Sequence, residues 1–251
     1  MVGTGNVPRG RREMLKGLLR RSSSLFALVV AGLFCVLAVE AAADDPAPAG
    51  MSAEDVAERV QRFYQDTDDF QAAFLQTFTD VAAGEAKRSR GRVYFKKPGM
   101  MRWDYYRADD ATRRDRVMVS DGNIFWVYEM EFQQVFKQCL AESNLPAALR
   151  FLMGEGNLLE EFDVEFADGS TAEEPRLRLT PKEASSEYRE LRFVLDPESF
   201  QVTRSILYDP YGNTNEIAFV NTRLNRNLPE SGFQFEPPEG ARLLNPNQEC
   251  D

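Results

Sequence analysis

The spacing of hydrophobic positions changes several times along the chain, and each change marks an element. Between Ser52 and about Gln65, Val56, Val60, Phe63 and Tyr64 recur three or four residues apart. Glu54, Glu58, Arg59 and Arg62 occupy the remaining positions, which predicts an amphipathic helix. Ser52, with Asp55 three residues on, is an N-cap signature for it. From Phe70 the spacing tends to two, so that Phe70, Ala72, Phe74, Gln76 and Phe78 would share one face of a strand. The same phenylalanines stand four apart, and a helix fits them as well.

Strand signals then repeat at 91–96, 100–106, 116–120, 124–128, 134–138, 162–166, 176–180, 191–195, 202–208, 216–223 and 233–235. Turn residues join them, among them Pro98-Gly99, Asp121-Gly122-Asn123, Asp168-Gly169 and Asp209-Pro210-Tyr211-Gly212-Asn213. One interruption, 144–154, has Pro146 near its start, Leu149, Phe151 and Leu152 inside and Gly154 at its end, which predicts a second helix. The expected fold is mainly β with two or three helices: one large antiparallel sheet, wide enough to curl, covered by helices over an apolar interior.

The N-terminus follows a different logic. Leu25 to Val39 is a continuous apolar run behind Arg20 and Arg21, followed by Ala41-Ala42-Ala43. It is shorter than the ~20 residues of a membrane span and reads as a signal peptide cleaved after Ala43. Phe34 before Cys35 is too bulky for a lipoprotein signal. Arg11-Arg12 leaves twin-arginine export open beside the Sec route, and Met14 competes with Met1 as the start. Residues 1–43 are thus expected to be removed, 44–51 to be a flexible leader with Pro46, Pro48 and Gly50, and 52–251 to form one domain.

Charge and composition narrow the function. Beyond residue 43 there are 24 basic and 38 acidic residues, a net charge of −14, which opposes nucleic acid and anionic membrane surfaces. The chain has no histidine, which removes Ser-His-Asp and Cys-His nucleophile systems and imidazole metal sites. Acid pairs such as Asp109-Asp110 and Glu160-Glu161 read as solubilising, and Asp66-Thr67-Asp68-Asp69 lacks the glycine and distal glutamate of a calcium loop. No enzyme, metal or cofactor is expected. Cys139 and Cys250 either pair, as an oxidising compartment permits, or remain thiols. Met101, Trp103, Tyr105, Phe125 and Val127, with Trp126 on the opposite face of its strand, are either plain core or the wall of a greasy pocket.

Several motifs occur in a telling order. Phe74-x-Gln76 is followed by Gly91-x-Val93-x-Phe95-Lys96-Lys97-Pro98-Gly99-Met100-Met101-Arg102-Trp103-Asp104-Tyr105. Ser120-Asp121-Gly122-x-x-x-Trp126-x-Tyr128 and Leu149-x-x-Leu152-x-Gly154 come next. Over residues 51–245 the chain resembles the periplasmic outer-membrane lipoprotein carrier family, LolA. The resemblance implies an unclosed β-barrel whose apolar cavity shields the acyl chains of a lipoprotein, and a shuttle that must visit two membranes is expected to be a monomer. In that family the cargo passes from an inner-membrane lipoprotein-releasing ABC transporter to the outer-membrane acceptor LolB. It implies cavity residues Phe74, Phe78, Met101, Trp103 and Trp126, and lid residues Val60, Phe63, Leu149 and Leu152. An arginine that hydrogen-bonds lid carbonyls is common where this chain has Lys97, so Lys97, assisted by Arg102, becomes the expected latch. The alternative is a lipid-sensing or lipid-binding sibling of the same fold that does not shuttle.

Overall fold

The computed structural model describes residues 47–140, 151, 156–245 and 250. Helix α1 (Ala53–Gln65) opens with the predicted cap: the Ser52 hydroxyl accepts from the Asp55 N–H, and the Asp55 carboxylate accepts from the Ser52 N–H. The strands that follow are β1 (Asp69–Asp80), β2 (Glu85–Lys96), β3 (Met100–Tyr106), β4 (Arg114–Asp121), β5 (Ile124–Glu129) and β6 (Gln134–Cys139). A four-residue helix, α2 (Leu158–Glu161), leads into β7 (Phe162–Phe166), β8 (Arg176–Pro181), β9 (Glu190–Leu195), β10 (Val202–Tyr208) and β11 (Thr214–Leu224). The ambiguous phenylalanine segment is strand, paired along its length with β2 on one side and β11 on the other.

All of these strands form one sheet in the order β12-β6-β5-β4-β3-β2-β1-β11-β10-β9-β8-β7, where β12 is Arg242–Leu244. It is two meanders, β1 to β6 and β7 to β11, joined where β1 pairs antiparallel with β11. The two ends of the order do not pair, so the barrel is unclosed. Its curl is visible in the core: Met101 and Phe125 from one meander and Val164, Leu179 and Leu191 from the other belong to a single buried cluster with α1. Ala43–Asp251 makes one compact unit.

Three expectations change or fall outside the described residues. Residues 233–235 are not a strand; Glu230–Phe233 is a 3-10 turn that buries Phe233. Pro229, Pro237 and Pro238 flank it, and a proline cannot donate to a ladder. The last strand is β12 instead, parallel to β6. Within the expected leader, Pro48–Gly50 is a 3-10 turn and Ala47 is buried. Of the expected second helix only Phe151, a helical and buried residue, is described; Leu149 and Leu152 lie outside the described residues, as does the signal-like segment.

Candidate functional site

The pleat decides which side chains face the concave side of the sheet. In β3 the odd positions Met101, Trp103 and Tyr105 point inward, opposite Phe95, Val93 and Gly91 of β2. Trp103 packs edge-on to Phe74 of β1 at 4.9 Å and to Phe95 at 5.9 Å, and Phe74 meets Tyr105 at 4.9 Å. Gly91 makes room for this: a Cβ there would stand 2.6 Å from the Phe74 ring and 2.0 Å from the carbonyl oxygen of Asp104. The layer continues through Phe70 and Phe193 and ends in a polar rim, where the Arg116 guanidinium lies 4.1 Å from the Tyr105 ring centre and pairs with Glu129.

Helix α1 covers this layer. It buries Val56, Ala57, Val60 and Tyr64, while Phe63 is half-buried and meets Tyr64 edge-on. The face it seals with is light, two valines and two alanines beside one tyrosine. The Tyr64 hydroxyl accepts from the backbone N–H of Val202 at 3.2 Å, and Phe151 lies against the Tyr64 ring at 5.1 Å. Burial pushes the ionisation of Tyr64 well above the ordinary tyrosine range and raises that of Tyr105, against the opposing pull of Arg116.

Polar contacts fasten the helix at its edges. The Lys97 ammonium donates to the carbonyls of Tyr64 at 2.7 Å and of Gln65 at 2.8 Å, at the C-terminal end of α1 where unpaired carbonyls and the helix dipole favour a cation. Partial burial lowers the pKa of Lys97, against the opposing pull of Asp68 and Asp66. Further along α1, Gln61 donates to the Gly156 carbonyl and accepts from the Leu158 N–H, which ties α1 to α2.

Two expected site residues lie elsewhere. Arg102, between Met101 and Trp103, must point outward; it pairs with buried Asp104 and donates to the Gly232 carbonyl, holding the C-terminal turn rather than α1. Trp126 is also on the convex face, because Phe125 and Val127 take the inward positions of β5; it packs on Phe235, with Lys137 over its ring. Phe78 shares the inward alternation of β1 but sits at the rim, 42% exposed. Phe74, Met101, Trp103 and Val60 come together under the helix as one buried group. Cys139 and Cys250 form a disulfide with Cα atoms 5.3 Å apart. Sequence reasoning did not single out Gln61, whose two hydrogen bonds reach residues about 95 positions away, nor the hydroxyl of Tyr64.

Comparison with known proteins adds to this geometry. Residues 65–236 match the family described as outer membrane lipoprotein carrier protein LolA. The chain is 30% identical over 189 residues to an outer-membrane lipoprotein carrier protein of Methylococcus capsulatus, covering 74% of this chain and 86% of that one. It is 28% identical over 215 residues to a protein of the same name from Chromobacterium violaceum, covering 84% and 97%. A LolA superfamily protein of known structure from Nitrosomonas europaea aligns with a TM-score of 0.42 at 13% identity, over 74% of this chain and 98% of that one.

Proposed function

The chain belongs to the LolA family of outer membrane lipoprotein carrier proteins, and on that premise we propose that it carries acylated lipoproteins across the periplasm. In this reading it is exported by a signal peptide cleaved near Ala43, takes its cargo from an inner-membrane lipoprotein-releasing ABC transporter and delivers it to an outer-membrane acceptor such as LolB. It works as a monomer and needs no covalent chemistry. The observation that carries the reading is the way α1 is held. An apolar layer with Trp103, Met101 and Phe74 buried in it is covered by a helix whose sealing face is small. That helix is fastened at its margin by the Lys97 and Gln61 hydrogen bonds.

The energetics suit a carrier. An acyl chain gains about 0.8 kcal/mol per CH₂ on leaving water, so ten methylenes favour a sheltered site by roughly 8 kcal/mol. Raising α1 exposes Val56, Val60 and Tyr64, at about 1.5–3 kcal/mol for each apolar side chain fully uncovered, and the incoming chain covers the same layer again. Lid residues Val60 and Phe63, with Leu149 and Leu152 beyond the described residues, and floor residues Phe74, Met101 and Trp103 then form the acyl site, with Lys97 as its latch.

Native mass spectrometry of the protein purified from the periplasm of a host that supplies the transporter tests this. A co-purifying triacylated lipoprotein, absent from a folded Val60→Asp variant, is the expected result, since an unpaired carboxylate under the helix is costly. A protein that stays empty and takes up no lipoprotein from the transporter would refute shuttling and move the assignment to a lipid-sensing sibling.

A further inference from the structure

The buried layer contains one polar atom that the fold leaves without a partner. Trp103 is 2% exposed, and its indole Nε1–H finds no acceptor among the described residues. Its walls are rings: Phe74 at 4.9 Å, Phe95 at 5.9 Å, Tyr105 at 6.4 Å and Phe219 at 6.5 Å. Other buried polar groups nearby are satisfied. The Tyr64 hydroxyl accepts from Val202, the Ser120 hydroxyl accepts from Gly122, and Asp104 pairs with Arg102 and Arg114. Among the described residues the remaining orphan atoms are guanidinium nitrogens of Arg116, Arg178 and Arg204, each of which faces a glutamate.

A buried donor with no acceptor is destabilising, and a tryptophan in a protein interior normally finds a partner for its N–H. A phenylalanine would fill an apolar floor without that cost. The indole differs in having a single hydrogen-bond donor, set in the middle of surfaces suited to hydrocarbon. The ligand chemistry that answers both features is a pair of apolar chains with a neutral, strong acceptor close to them, which describes the carbonyl of an acyl ester. An ether linkage offers the same chains with a weaker acceptor.

We propose that the Trp103 Nε1–H donates to an acyl-ester carbonyl of the bound lipid, so that the site selects ester-linked over ether-linked chains. The proposal rests on the carrier reading, and adds that cargo is recognised by its linkage as well as its chains. Trp103 acts as a specificity-determining donor, and the acceptor its N–H lacks in the empty site arrives with the ligand.

The test compares a diacylglyceryl-cysteine peptide with its dialkyl ether counterpart by calorimetric titration of the full mature chain, and repeats the pair with dihexanoyl- and dihexyl-glycerophosphocholine below micelle-forming concentrations. The wild-type protein should bind the ester about tenfold more tightly than the ether, equivalent to ~1.4 kcal/mol. Trp103→Phe should bind the two equally. A second readout needs no variant at position 103. The chain has two tryptophans, so the Trp103 indole proton can be followed by NMR beside Trp126 on the convex face. The Trp103 signal should move downfield with the ester alone while Trp126 stays still.

A preference confined to the cysteinyl peptide places the acceptor on lipoprotein cargo, and the same preference with the phospholipid places it on diacyl lipids in general; either supports the donor role. Equal binding of ester and ether by the wild type, or an undiminished preference in Trp103→Phe, overturns it while leaving the carrier reading intact. A wild-type protein that binds none of the four probes overturns both.

Discussion

Replacing Lys97 by Met removes the ammonium while keeping most of the stem, and so isolates the fastening of α1. Two hydrogen bonds are lost, at 2.7 and 2.8 Å, together with a positive charge at the C-terminal end of a helix. Buried bonds from a charged donor are worth about 1.5–3 kcal/mol each, and a cation at a helix end about 0.3–1 kcal/mol. Both figures must be reduced here. Lys97 is only half-buried, so water can replace it at the two carbonyls, and its lowered pKa shows that burial already costs the charged form something. A net loss of about 1–2 kcal/mol remains, which raises the population with α1 lifted roughly 5- to 30-fold.

Hydrogen exchange read by mass spectrometry distinguishes latch from scaffold. In Lys97→Met the amides of Ala53–Gln65 should exchange faster by that factor, while those of β8 and β9, far from Lys97 in the sheet order, keep their wild-type protection. Lys97→Arg should restore protection, since a guanidinium presents more donors to the same carbonyls. Unchanged exchange in α1, or a uniform acceleration across the sheet, would refute the reasoning: the first would mean that the two bonds carry no net energy, the second that they support the whole fold.

Three further outcomes follow from the geometry. Gly91→Ala places a Cβ against the backbone oxygen of Asp104 and the ring of Phe74, and should lower the unfolding free energy by about 3 kcal/mol in a urea titration. Reduction of the Cys139–Cys250 disulfide, which closes a loop with a sequence separation of 111, should cost about 2–4 kcal/mol in the same assay, with exchange at Arg242–Leu244 rising first. Above about pH 10 the unfolding free energy should fall, because Tyr64 ionises when unfolded but stays protonated in the fold, and Tyr105 is shifted in the same direction; Lys97, shifted down, acts in the opposite sense just below its unfolded pKa, and Tyr64→Phe should flatten the decline.

How much of this could be read in the chain depends on which physical signal carries each feature. Period-two alternation is strong wherever one face of a sheet is buried, so the inward set Met101, Trp103 and Tyr105 was legible, and so was the cap of α1 at Ser52 and Asp55. The same alternation puts Trp126 and Arg102 outside. Grouping Trp126 with the cavity followed motif resemblance against the pleat, and the pleat prevailed because Phe125 and Val127 already hold the inward positions. Arg102 failed as a latch for the same reason: no long side chain reaches α1 from the far side of a strand whose neighbours face it.

What was not legible belongs to contacts whose second partner is main chain. The resemblance directs Lys97 to carbonyls of the lid, but not to those of Tyr64 and Gln65 in particular, because any residue at those positions would supply the same oxygens. Gln61 likewise meets a carbonyl and an N–H of Gly156 and Leu158. Residue identity leaves no trace of such pairings, since only the closing of the sheet brings them within reach. The orphan N–H of Trp103 is harder still to foresee, because it is defined by the acceptors its surroundings lack. A carrier has reason to place its sensitive parts in these terms. In the proposed carrier, apolar surface would hold cargo and empty protein alike, whereas the Lys97 and Gln61 contacts at the lid and the unfilled Trp103 donor on the floor would differ between the two states, and only such differences can couple opening to the arrival of a lipid.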